Sequence, residues 1–329
     1  MHSYYITGIN GFLGRNLVST ILSHEPDAEI IGLFLPSEID GSFPYKVIIK
    51  QGNILNKYEV NNFINTPCKG DKILIHAAGR ISVYKKGDPL TTTVNVEGTK
   101  TVADIAKENN VKTFIYVSSV DALDKRNDEG IIYEQDYYHI DKVDGVYSKS
   151  KVLASNYVLD QASDDFKVII VNPSAIMGPN DPFDAPINNA IKKAINNKLP
   201  AIVKGGYNIV DVRDVAEGIY QLIDKGMNKQ SYLLVGEYIS VKDLMHLSSQ
   251  IAGSKKVKFI VPHWIIKLIS PFIEIYSKMR KKKPLFTGFS MDCLKQNSHY
   301  SYAKCQTLFS YQPRNIENSL IDTINYLRK

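Results

Sequence analysis

The stretch I-T-G-I-N-G-F-L-G at residues 6–14 decides the fold class of this chain. An apolar run at residues 4–7 predicts a strand before it, and the apolar spacing of residues 12–23 predicts a helix after it. Glycines at positions 8, 11 and 14 allow a tight turn and a close approach of the backbone to a pyrophosphate, which the helix start attracts. Alone, the glycine spacing fits a plain turn equally well, but its place between strand and helix favours a dinucleotide.

An alternation of apolar runs and helical patterns fills the first half of the chain. Strands are predicted at residues 29–35, 46–50, 72–76, 113–119 and 166–172, with helices at 56–65, 91–109 and around 147. Runs of Ile, Val and Phe with little alternation are typical of strands buried on both faces. Strand, helix and strand in succession predict an α/β fold with a doubly wound parallel sheet.

The pattern loosens beyond about residue 175 into shorter helices, Gly and Pro turns and short strands such as residues 231–235. We expect residues 1–175 to form a dinucleotide-binding domain and residues 176–329 to form a smaller, mainly helical substrate-binding region. Residues 205–230, and 211–225 in particular, are expected to pack back on the first domain.

Composition excludes several other classes of protein. The 329 residues are 44% hydrophobic and 22% charged, which is ordinary for a folded globular chain. The net charge of +6 is mild, so we expect no nucleic-acid partner. The basic cluster K-M-R-K-K-K at residues 278–283 fits a solvated helix end, a membrane surface or a nucleic acid, and its role stays open.

Cysteine use and hydropathy set the expected compartment. Cys68, Cys293 and Cys305 are far apart without a C-x-x-C spacing, so neither a disulfide framework nor a zinc site is predicted. No signal-peptide pattern precedes the first glycine, and no apolar run reaches the roughly 18 residues that a membrane helix needs. We therefore expect a cytoplasmic protein with no integral membrane segment and no metal.

The end of the second predicted strand, I-G-L-F-L-P-S-E at residues 31–38, bears on the choice of dinucleotide. A carboxylate at the strand tip would hold a ribose 2′-hydroxyl, whereas an arginine would accept a 2′-phosphate. Neither group stands at the tip, and Glu38 lies further along the chain. Arg15 and Ser37 are the nearby groups that could receive a phosphate, so the sequence favours NADP(H) over NAD(H).

Tyr147 and Lys151, in V-Y-S-K-S-K at residues 146–151, lie four residues apart and so share one helical face. By itself this pair is explained equally well by a solvated helix surface, because so short a pattern recurs by chance. The rest of the chain must decide between chemistry and chance.

Seven short motifs follow one another in order: T-G-I-N-G-F-L-G (7–14), H-A-A-G (76–79), N-V-E-G-T (95–99), Y-V-S-S (116–119), Y-S-K-S-K (147–151), N-P-S-A-I-M-G-P (172–179) and V-D-V-R-D-V-A (210–216). In order and spacing they resemble the extended branch of the short-chain dehydrogenase/reductase superfamily, almost from end to end of the chain. The resemblance implies an NAD(P)-binding Rossmann fold and a homodimer formed through a four-helix interface.

A catalytic triad of Ser119, Tyr147 and Lys151 is implied by the resemblance, with Ser118 as the alternative to Ser119. A phenol with a pKa near 10 is a poor proton carrier at neutral pH, and lowering it by about three units takes roughly 4 kcal/mol. A neighbouring ammonium and a positive nicotinamide can supply that energy. Lys151 would also bind the nicotinamide ribose, and Ser119 would hold the substrate oxygen.

The resemblance also implies which residues surround the dinucleotide. These are Gly8, Asn10, Gly11, Phe12, Leu13, Gly14, Asn53, Ile54, Ala77, Ala78, Gly79, Asn95, Ser118, Tyr147, Lys151, Pro173 and Ser174. Asn53 stands where the family usually has an Asp that recognises adenine, and a plain loop residue is the alternative reading. Asn95 would brace the site from a helix, and His76 is expected to pack at a strand end.

Departures from the family patterns bear on the reaction type. Tyr207 stands where nucleotide-sugar epimerases carry an Arg that grips the substrate diphosphate, and such a clamp is hard to replace. S-V-D at residues 119–121 replaces the T-D-E of sugar dehydratases. Downstream segments, K-K-K-P-L-F-T-G (281–288), S-Y-A-K (301–304) and Y-Q-P-R (311–314), look more like the dihydroflavonol reductase and 3β-hydroxysteroid dehydrogenase group.

The resulting hypothesis is an NAD(P)-dependent oxidoreductase that interconverts a ketone and a secondary alcohol on a largely apolar small molecule. The apolar segment at residues 261–276 would cover that substrate, with core packing as the alternative. Two other functions stay open. One is an NDP-sugar epimerase that uses the same triad, and the other is a dinucleotide-sensing protein without catalysis.

Overall fold

A computed structural model describes residues 2–38, 43, 46–82, 89–125, 130–262, 264–266, 268 and 288–328. Most of the apolar segment at residues 261–276 and all of the basic cluster at residues 278–283 lie outside these residues, so the expectations for both stay predictions.

The strands, in chain order, are β1 His2–Thr7, β2 Glu29–Phe34, β3 Val47–Gln51, β4 Asp71–His76, β5 Thr113–Val117, β6 Lys167–Pro173, β7 Ala175–Met177, β8 Ile202–Val203, β9 Gly206–Asp211, β10 Gln230–Leu234, β11 Glu237–Ser240 and β12 Ile260–Val261. The helices are α1 Phe12–His24, α2 Lys57–Ile64, α3 Pro89–Thr92, α4 Thr99–Glu108, α5 Val146–Asp160, α6 Pro186–Ile195, α7 Val212–Lys225, α8 Val241–Ala252, α9 Gly288–Cys293, α10 Ala303–Phe309 and α11 Ile316–Leu327.

The main sheet confirms the doubly wound parallel arrangement expected from the sequence. Its strand order is β10-β6-β5-β4-β1-β2-β3, and every neighbouring pair is parallel. Successive residues of β1 enter opposite cores, with Tyr5 on one face and Tyr4 and Ile6 on the other. The unbroken apolar runs therefore arise because both faces of the sheet are covered.

Helices cover the two faces of this sheet. On one face, α1 and α7 pack together and bury Leu17, Ile21 and Ile219. On the other face, α2, α4 and α5 bury residues such as Val60 and Val102. α7 follows β6 by some forty residues, but it packs on the main sheet. The later strand β10 forms one edge of that sheet.

The helix predicted at residues 91–109 is interrupted by a π-helical segment, Thr93–Gly98, between α3 and α4. A π-turn carries one extra residue, shifts the side chains that follow and is frequent at functional sites. Here it places Asn95, which is 1% exposed, in the interior of the protein.

The remaining elements form a second layer. A small sheet of order β11-β9-β7 and the pair β12-β8 pack with α6, α8 and α11 around Met177, Ile191, Leu244 and Leu320. Within the ranges given above, no helix has both the length and the apolarity to cross a membrane.

Candidate active site

The glycine-rich turn joins β1 to α1 through a backbone that only glycine adopts without strain. Gly8 has φ of 71°, and a Cβ there would lie 2.9 Å from the backbone N of Ala78. At Gly14 a Cβ would lie 2.3 Å from the Gly8 carbonyl oxygen, so α1 packs directly on the turn. These contacts explain two of the three glycines by space alone.

The start of α1 is open to an anion. Its N-cap, Gly11, provides no side-chain cap, whereas α2 and α7 begin at capping oxygens of Asn56 and Asp211. The first N–H groups of a helix, here at Phe12 and Leu13, have no acceptor inside the helix. Without a capping side chain they remain available to a phosphate.

Asn10 and Arg15 shape the outer side of this turn. Asn10 is fully buried, and its carbonyl oxygen accepts a hydrogen bond from Arg15 Nε at 3.1 Å. The guanidinium of Arg15 lies 5.2 Å from the ring centre of Phe43. An arginine is therefore fixed next to the expected pyrophosphate site.

The loop after β4 runs beside the turn, as expected for residues beneath a dinucleotide. Ala77 N–H donates to the Thr7 carbonyl oxygen at 3.3 Å, and Ala78 N–H donates to Thr7 Oγ1 at 3.3 Å. A Cβ on Gly79 would lie 3.4 Å from Asn95 Oδ1 and 3.5 Å from Lys151 Nζ. The structure thus brings three separate motifs together at Gly79.

Asn95 ties this loop to the helix that carries Tyr147. Its Oδ1 accepts Arg80 N–H at 2.7 Å, and its Nδ2 donates to the Arg80 carbonyl oxygen and to Ser150 Oγ, each at 3.0 Å. Ser150 Oγ in turn donates to the Tyr147 carbonyl oxygen at 2.7 Å. Asn95 therefore fixes the position of α5 against the dinucleotide loop.

His76 is a packing residue with both ring nitrogens engaged. Nδ1 pairs with Thr7 Oγ1 at 2.7 Å, and Nε2 pairs with Thr99 Oγ1 at 3.0 Å. Burial, with a further contribution from the charge of Lys151, lowers the pKa of His76 to about 3. The imidazole is therefore neutral and has no ring nitrogen left for a ligand.

Asn53 and Ile54 follow β3, at the same edge of the sheet. Asn53 Oδ1 accepts Leu55 N–H at 3.0 Å, and Asn53 N–H donates to Glu59 Oε2 at 2.6 Å. The hydrogen bond from Leu55 N–H to Asn53 Oδ1 thus closes a local turn. The Nδ2 group is left to donate to an adenine. Ile54 is 7% exposed and packs under the helix at Gly98.

Pro173 ends β6, and Ser174 follows it. Ser174 is 5% exposed, and its Oγ has no hydrogen-bond partner within the described residues. A buried hydroxyl without a partner costs free energy unless something else satisfies it. A polar group of a bound molecule, such as the carboxamide of a nicotinamide, fits this need.

Ser118 and Ser119 point to different surroundings. Ser118 Oγ pairs with Ser155 Oγ at 2.8 Å, which joins β5 to α5. Ser119 Oγ accepts Asp121 N–H at 3.1 Å, and it lies close enough to the Tyr147 phenol to lower the pKa of that group. Of the two hydroxyls, that of Ser119 is the one that affects the pKa of the phenol.

Tyr147 is partly buried near the start of α5. Burial raises the pKa of Tyr147 well above its ordinary value, and the charge of Asp121 raises it further. The Ser119 hydroxyl and the charge of Lys125 lower it in part. The phenol is therefore neutral at neutral pH, and proton loss from it requires an added positive charge.

Lys151 is 5% exposed and reaches the end of β5. Its Nζ donates to the Val117 carbonyl oxygen at 2.7 Å and lies 4.8 Å from the ring centre of Tyr116. Burial lowers the pKa of Lys151 to about 7. The ammonium therefore gains or loses its proton near neutral pH, unlike a surface lysine.

An ion pair near Tyr147 was missed by the sequence reasoning. Lys125 Nζ lies 2.6 Å from Asp121 Oδ1, and the Tyr300 hydroxyl is close enough to raise the pKa of Lys125. Burial lowers the pKa of Lys125, but Asp121 and Tyr300 outweigh burial and hold it above its ordinary value. The signal available in the sequence was the i,i+4 spacing of Asp121 and Lys125, which is typical of an ion pair between neighbouring side chains.

A cavity of about 200 Å³ adjoins this ion pair and Ser148, the neighbour of Tyr147. Its charged lining residues are Asp121, Lys125, Lys142, Asp144, Asp292 and Lys295. Cys293 also lines it, and burial raises the pKa of that thiol to about 12. This wall is therefore mainly polar, and the apolar cover expected from residues 261–276 stays a prediction.

Two further side chains bear on the epimerase alternative. Burial raises the pKa of Tyr207, and this side chain packs against the cluster of Met291 and Leu294, which flank Cys293 of the cavity wall. Arg213 donates to both carboxylate oxygens of Asp211, at 2.9 and 2.7 Å, and to Asp322. The guanidinium of Arg213 thus already binds two carboxylates of its own chain, so it does not replace the diphosphate-binding Arg of the epimerases.

Within the described ranges, no group of three or more His, Cys, Asp or Glu residues is arranged to hold a metal ion. The expected dinucleotide residues instead meet at the carboxyl edge of β1, β4, β5 and β6, where ligands of such sheets bind. The glycine turn, the open helix start and the unpartnered hydroxyl of Ser174 all fit a nicotinamide dinucleotide.

Comparison with known proteins agrees with this geometry. A Synechocystis protein that carries the name dihydroflavonol 4-reductase is 27% identical, over 99% of this chain and 94% of its own length. Mouse sterol-4-alpha-carboxylate 3-dehydrogenase, decarboxylating, is 25% identical, over 94% of this chain and 86% of its own. The crystal structure of gox2253 is 28% identical and superposes with a TM-score of 0.83, covering 99% of this chain and 98% of that one.

The sequence profile of the NAD dependent epimerase/dehydratase family matches residues 4–236. The resemblance to extended short-chain dehydrogenases is thereby confirmed. This chain belongs to the NAD-dependent epimerase/dehydratase family, whose members are NAD(P)-binding enzymes.

Proposed function

We propose that this enzyme interconverts a ketone and a secondary alcohol, with Ser119, Tyr147 and Lys151 as its reacting and binding groups. One observation carries the proposal. The Ser119 hydroxyl lies beside the Tyr147 phenol and lowers its pKa, at the sheet edge that binds dinucleotides, while Lys151 Nζ reaches the same edge. A proton donor and an oxygen-binding hydroxyl thus lie side by side.

A bound nicotinamide dinucleotide supplies or accepts the hydride in this reaction. Ser119 donates a hydrogen bond to the substrate oxygen, where negative charge develops during reduction. Tyr147 gives its proton to that oxygen during reduction and takes it back during oxidation. Because burial keeps Tyr147 protonated, the phenol is already in the form that reduction needs.

Lys151 acts on both the cofactor and Tyr147 in this proposal. Its ammonium lies next to Gly79 and Asn95, where the ribose of the nicotinamide would pass. Its pKa of about 7 means that a small change in local charge decides its protonation. When it is protonated, it favours the phenolate of Tyr147 and so eases proton removal during alcohol oxidation.

The dinucleotide itself would be held along the carboxyl edge. The turn from Gly8 to Gly14 and the first turn of α1 would bind the pyrophosphate, and Ser174 would bind the nicotinamide carboxamide. Asn53 would donate to the adenine through Nδ2. We further propose NADP(H) over NAD(H), because the Arg15 guanidinium is held beside the turn and can pair with a 2′-phosphate.

The substrate proposal combines an apolar body with a polar group near the reacting carbon. The charged wall formed by Asp121, Lys125 and Lys142 favours a substrate that carries a hydroxyl or a carboxylate there. An apolar body suits the segment at residues 261–276, most of which lies outside the described ranges. The names of the reductase and sterol-carboxylate dehydrogenase relatives are compatible with such a molecule.

An NDP-sugar epimerase is the second candidate. Against it stand Tyr207 in place of the diphosphate-binding Arg and the engagement of Arg213 with Asp211 and Asp322. A homodimer, implied by the resemblance, and a cytoplasmic location, expected from cysteine use, both stay predictions.

The two candidates differ in net redox change. A reductase consumes NADPH in proportion to ketone, whereas an epimerase inverts a sugar carbon with no net change in the cofactor. The test supplies NADPH with a panel of cyclic and steroid-like ketones and follows nicotinamide absorbance, while calorimetry with UDP and GDP sugars runs in parallel. Ketone-dependent oxidation supports the proposal; sugar-nucleotide binding with epimerised product contradicts it.

A further inference from the structure

Among the described residues between 259 and 268, three large apolar side chains are at least about two-thirds exposed. Phe259 is 73% exposed, Trp264 is 68% exposed and Leu268 is 67% exposed. Single exposed apolar residues are common on soluble proteins, but several in one short stretch mark an interaction surface. None of the three lines the cavity beside Tyr147.

The backbone that carries these side chains is anchored to the protein. Ile202 N–H donates to the Phe259 carbonyl oxygen at 2.9 Å, where β12 pairs with β8. Ile266 is 5% exposed and packs in a cluster with Met291 and Leu294. The outward side chains are therefore displayed on a backbone that the pairing of β12 with β8 and the buried side chain of Ile266 hold to the protein.

Helical spacing places Trp264 and Leu268 together. Both residues have helical backbone and are four positions apart in the sequence, a spacing typical of side chains that share one helical face. Ile266, two positions from each, points to the opposite side and is the buried one. This is the arrangement of a short amphipathic segment whose apolar outer face is uncovered.

Three lysines directly precede Phe259 in the sequence. Lys255, Lys256 and Lys258 are exposed, and Val257 between them is buried. No carboxylate of the described residues forms an ion pair with any of the three. Cations next to Trp, Phe and Leu form the pattern with which proteins lie in the interface of an anionic bilayer.

We propose that Lys255, Lys256, Lys258, Phe259, Trp264 and Leu268, here called the docking patch, bind the surface of an anionic lipid bilayer. Charge favours this occupant over a second copy of the chain. A twofold dimer would place the patch against itself, and the patch contains lysines but no acidic residue. Anionic headgroups supply the missing charge, and the interface accommodates Trp well.

The docking patch adjoins the active-site cavity. Met291 and Leu294, which hold Ile266 in place, flank Asp292 and Cys293 of the cavity wall. A bilayer under the patch would thus lie one packing layer from the substrate. The docking proposal does not depend on the reaction, and its test uses no substrate.

Trp264 provides a direct test because it is the only tryptophan in the chain. Its emission in buffer should be at long wavelength, as for an exposed indole. Vesicles of phosphatidylcholine with phosphatidylserine should shift the emission to shorter wavelength, vesicles of phosphatidylcholine alone should shift it less, and added salt should weaken the difference. Full-length protein is used throughout.

Matched variants assign any binding to the patch. Phe259→Ser keeps the reporter and should weaken vesicle partitioning about tenfold, since one large apolar side chain no longer inserts. Each lysine changed to Gln within the patch should weaken it about fivefold. Tyr58→Ser, at a position also 73% exposed but on α2, is the apolar control. A triple change of the exposed Lys50, Lys57 and Lys112 to Gln is the charge control.

Four outcomes overturn the proposal. These are no spectral shift with anionic vesicles, equal losses in the patch and control variants, short-wavelength emission from dilute protein without vesicles, and a shift that follows protein concentration instead of lipid. Short-wavelength emission without vesicles would mean that the chain itself covers the docking patch. A shift that follows protein concentration would mean that a second copy of the chain covers it. A shift with anionic vesicles that only the patch variants weaken supports it.

Discussion

Lys125 Nζ lies 2.6 Å from Asp121 Oδ1 in the wall of the cavity next to Tyr147. The two charges act on the phenol in opposite directions, because Asp121 raises the pKa of Tyr147 and Lys125 lowers it. Both act through the electric field, so either can be removed while Ser119, Tyr147 and Lys151 stay in place.

The first prediction concerns the pH dependence of ketone reduction. Reduction needs the protonated phenol, so kcat/KM falls as pH rises through the pKa of Tyr147. Asp121→Asn should move this fall to lower pH, and Lys125→Met should move it to higher pH. The change in kcat/KM below the fall should stay under about tenfold. Equal losses of kcat/KM at every pH in both variants would show that the ion pair is only structural. The control is the double variant, which removes both charges.

The second prediction concerns stability and Lys151. The folded pKa of about 7 lies below the unfolded value, so the unfolded chain binds more protons between pH 7 and about 10. Stability contributed by this group therefore rises with pH through that window, by at most about 1.4 kcal/mol per pH unit. Urea unfolding at several pH values should show a steeper rise for the wild type than for Lys151→Met. Parallel curves would contradict the assigned pKa.

The third prediction concerns the glycine turn. In Gly14→Ala the new Cβ meets the Gly8 carbonyl oxygen, so the turn must open and dinucleotide affinity should fall at least about tenfold. Gly253→Ala is a matched control, with φ of 65° and no atom within 4 Å. It should cost about 1 kcal/mol of folding stability and leave dinucleotide affinity unchanged. Fluorescence titration with NADPH measures both affinities, and equal affinities would refute the role of the turn.

Arg15 provides the fourth prediction, on cofactor choice. If its guanidinium binds a 2′-phosphate, Arg15→Ala should weaken NADPH about tenfold and NADH by much less. Thermal shift with each dinucleotide compares the two, because ligand binding raises the melting temperature with affinity and concentration. An equal loss for both cofactors would place Arg15 at the pyrophosphate and leave the preference for NADP(H) unsupported.

The central sheet and the glycine turn could be predicted from the sequence because their signals are local. The run around Tyr4 shows by itself that a strand is buried on both faces, and Gly8 to Gly14 show the turn within a few residues. The role of Asn95 as a brace was implied by family resemblance. The π-helical segment that positions it was not predicted, since its neighbours read as an ordinary helix.

The cavity wall could not be predicted because it depends on contacts between distant parts of the chain. Lys125 lies close to Tyr300, and Asp121 lies close to Cys293, although the residues of each pair are far apart in the sequence. No periodic pattern in the sequence predicts such contacts. The placement of β10 in the main sheet has the same cause. A short apolar run such as Gln230–Leu234 shows that a strand forms, but not which sheet edge accepts it.

The most direct test of the account is the Tyr147→Phe variant, which removes one hydroxyl and keeps the ring. NADPH affinity, measured by fluorescence titration, should match that of the wild type, because Gly8 to Gly14 and Lys151 are unchanged. Ketone-dependent NADPH oxidation should fall by about 10²- to 10⁴-fold, the usual contribution of a positioned acid. Wild-type turnover in this variant would contradict the assignment of Tyr147 as the proton donor.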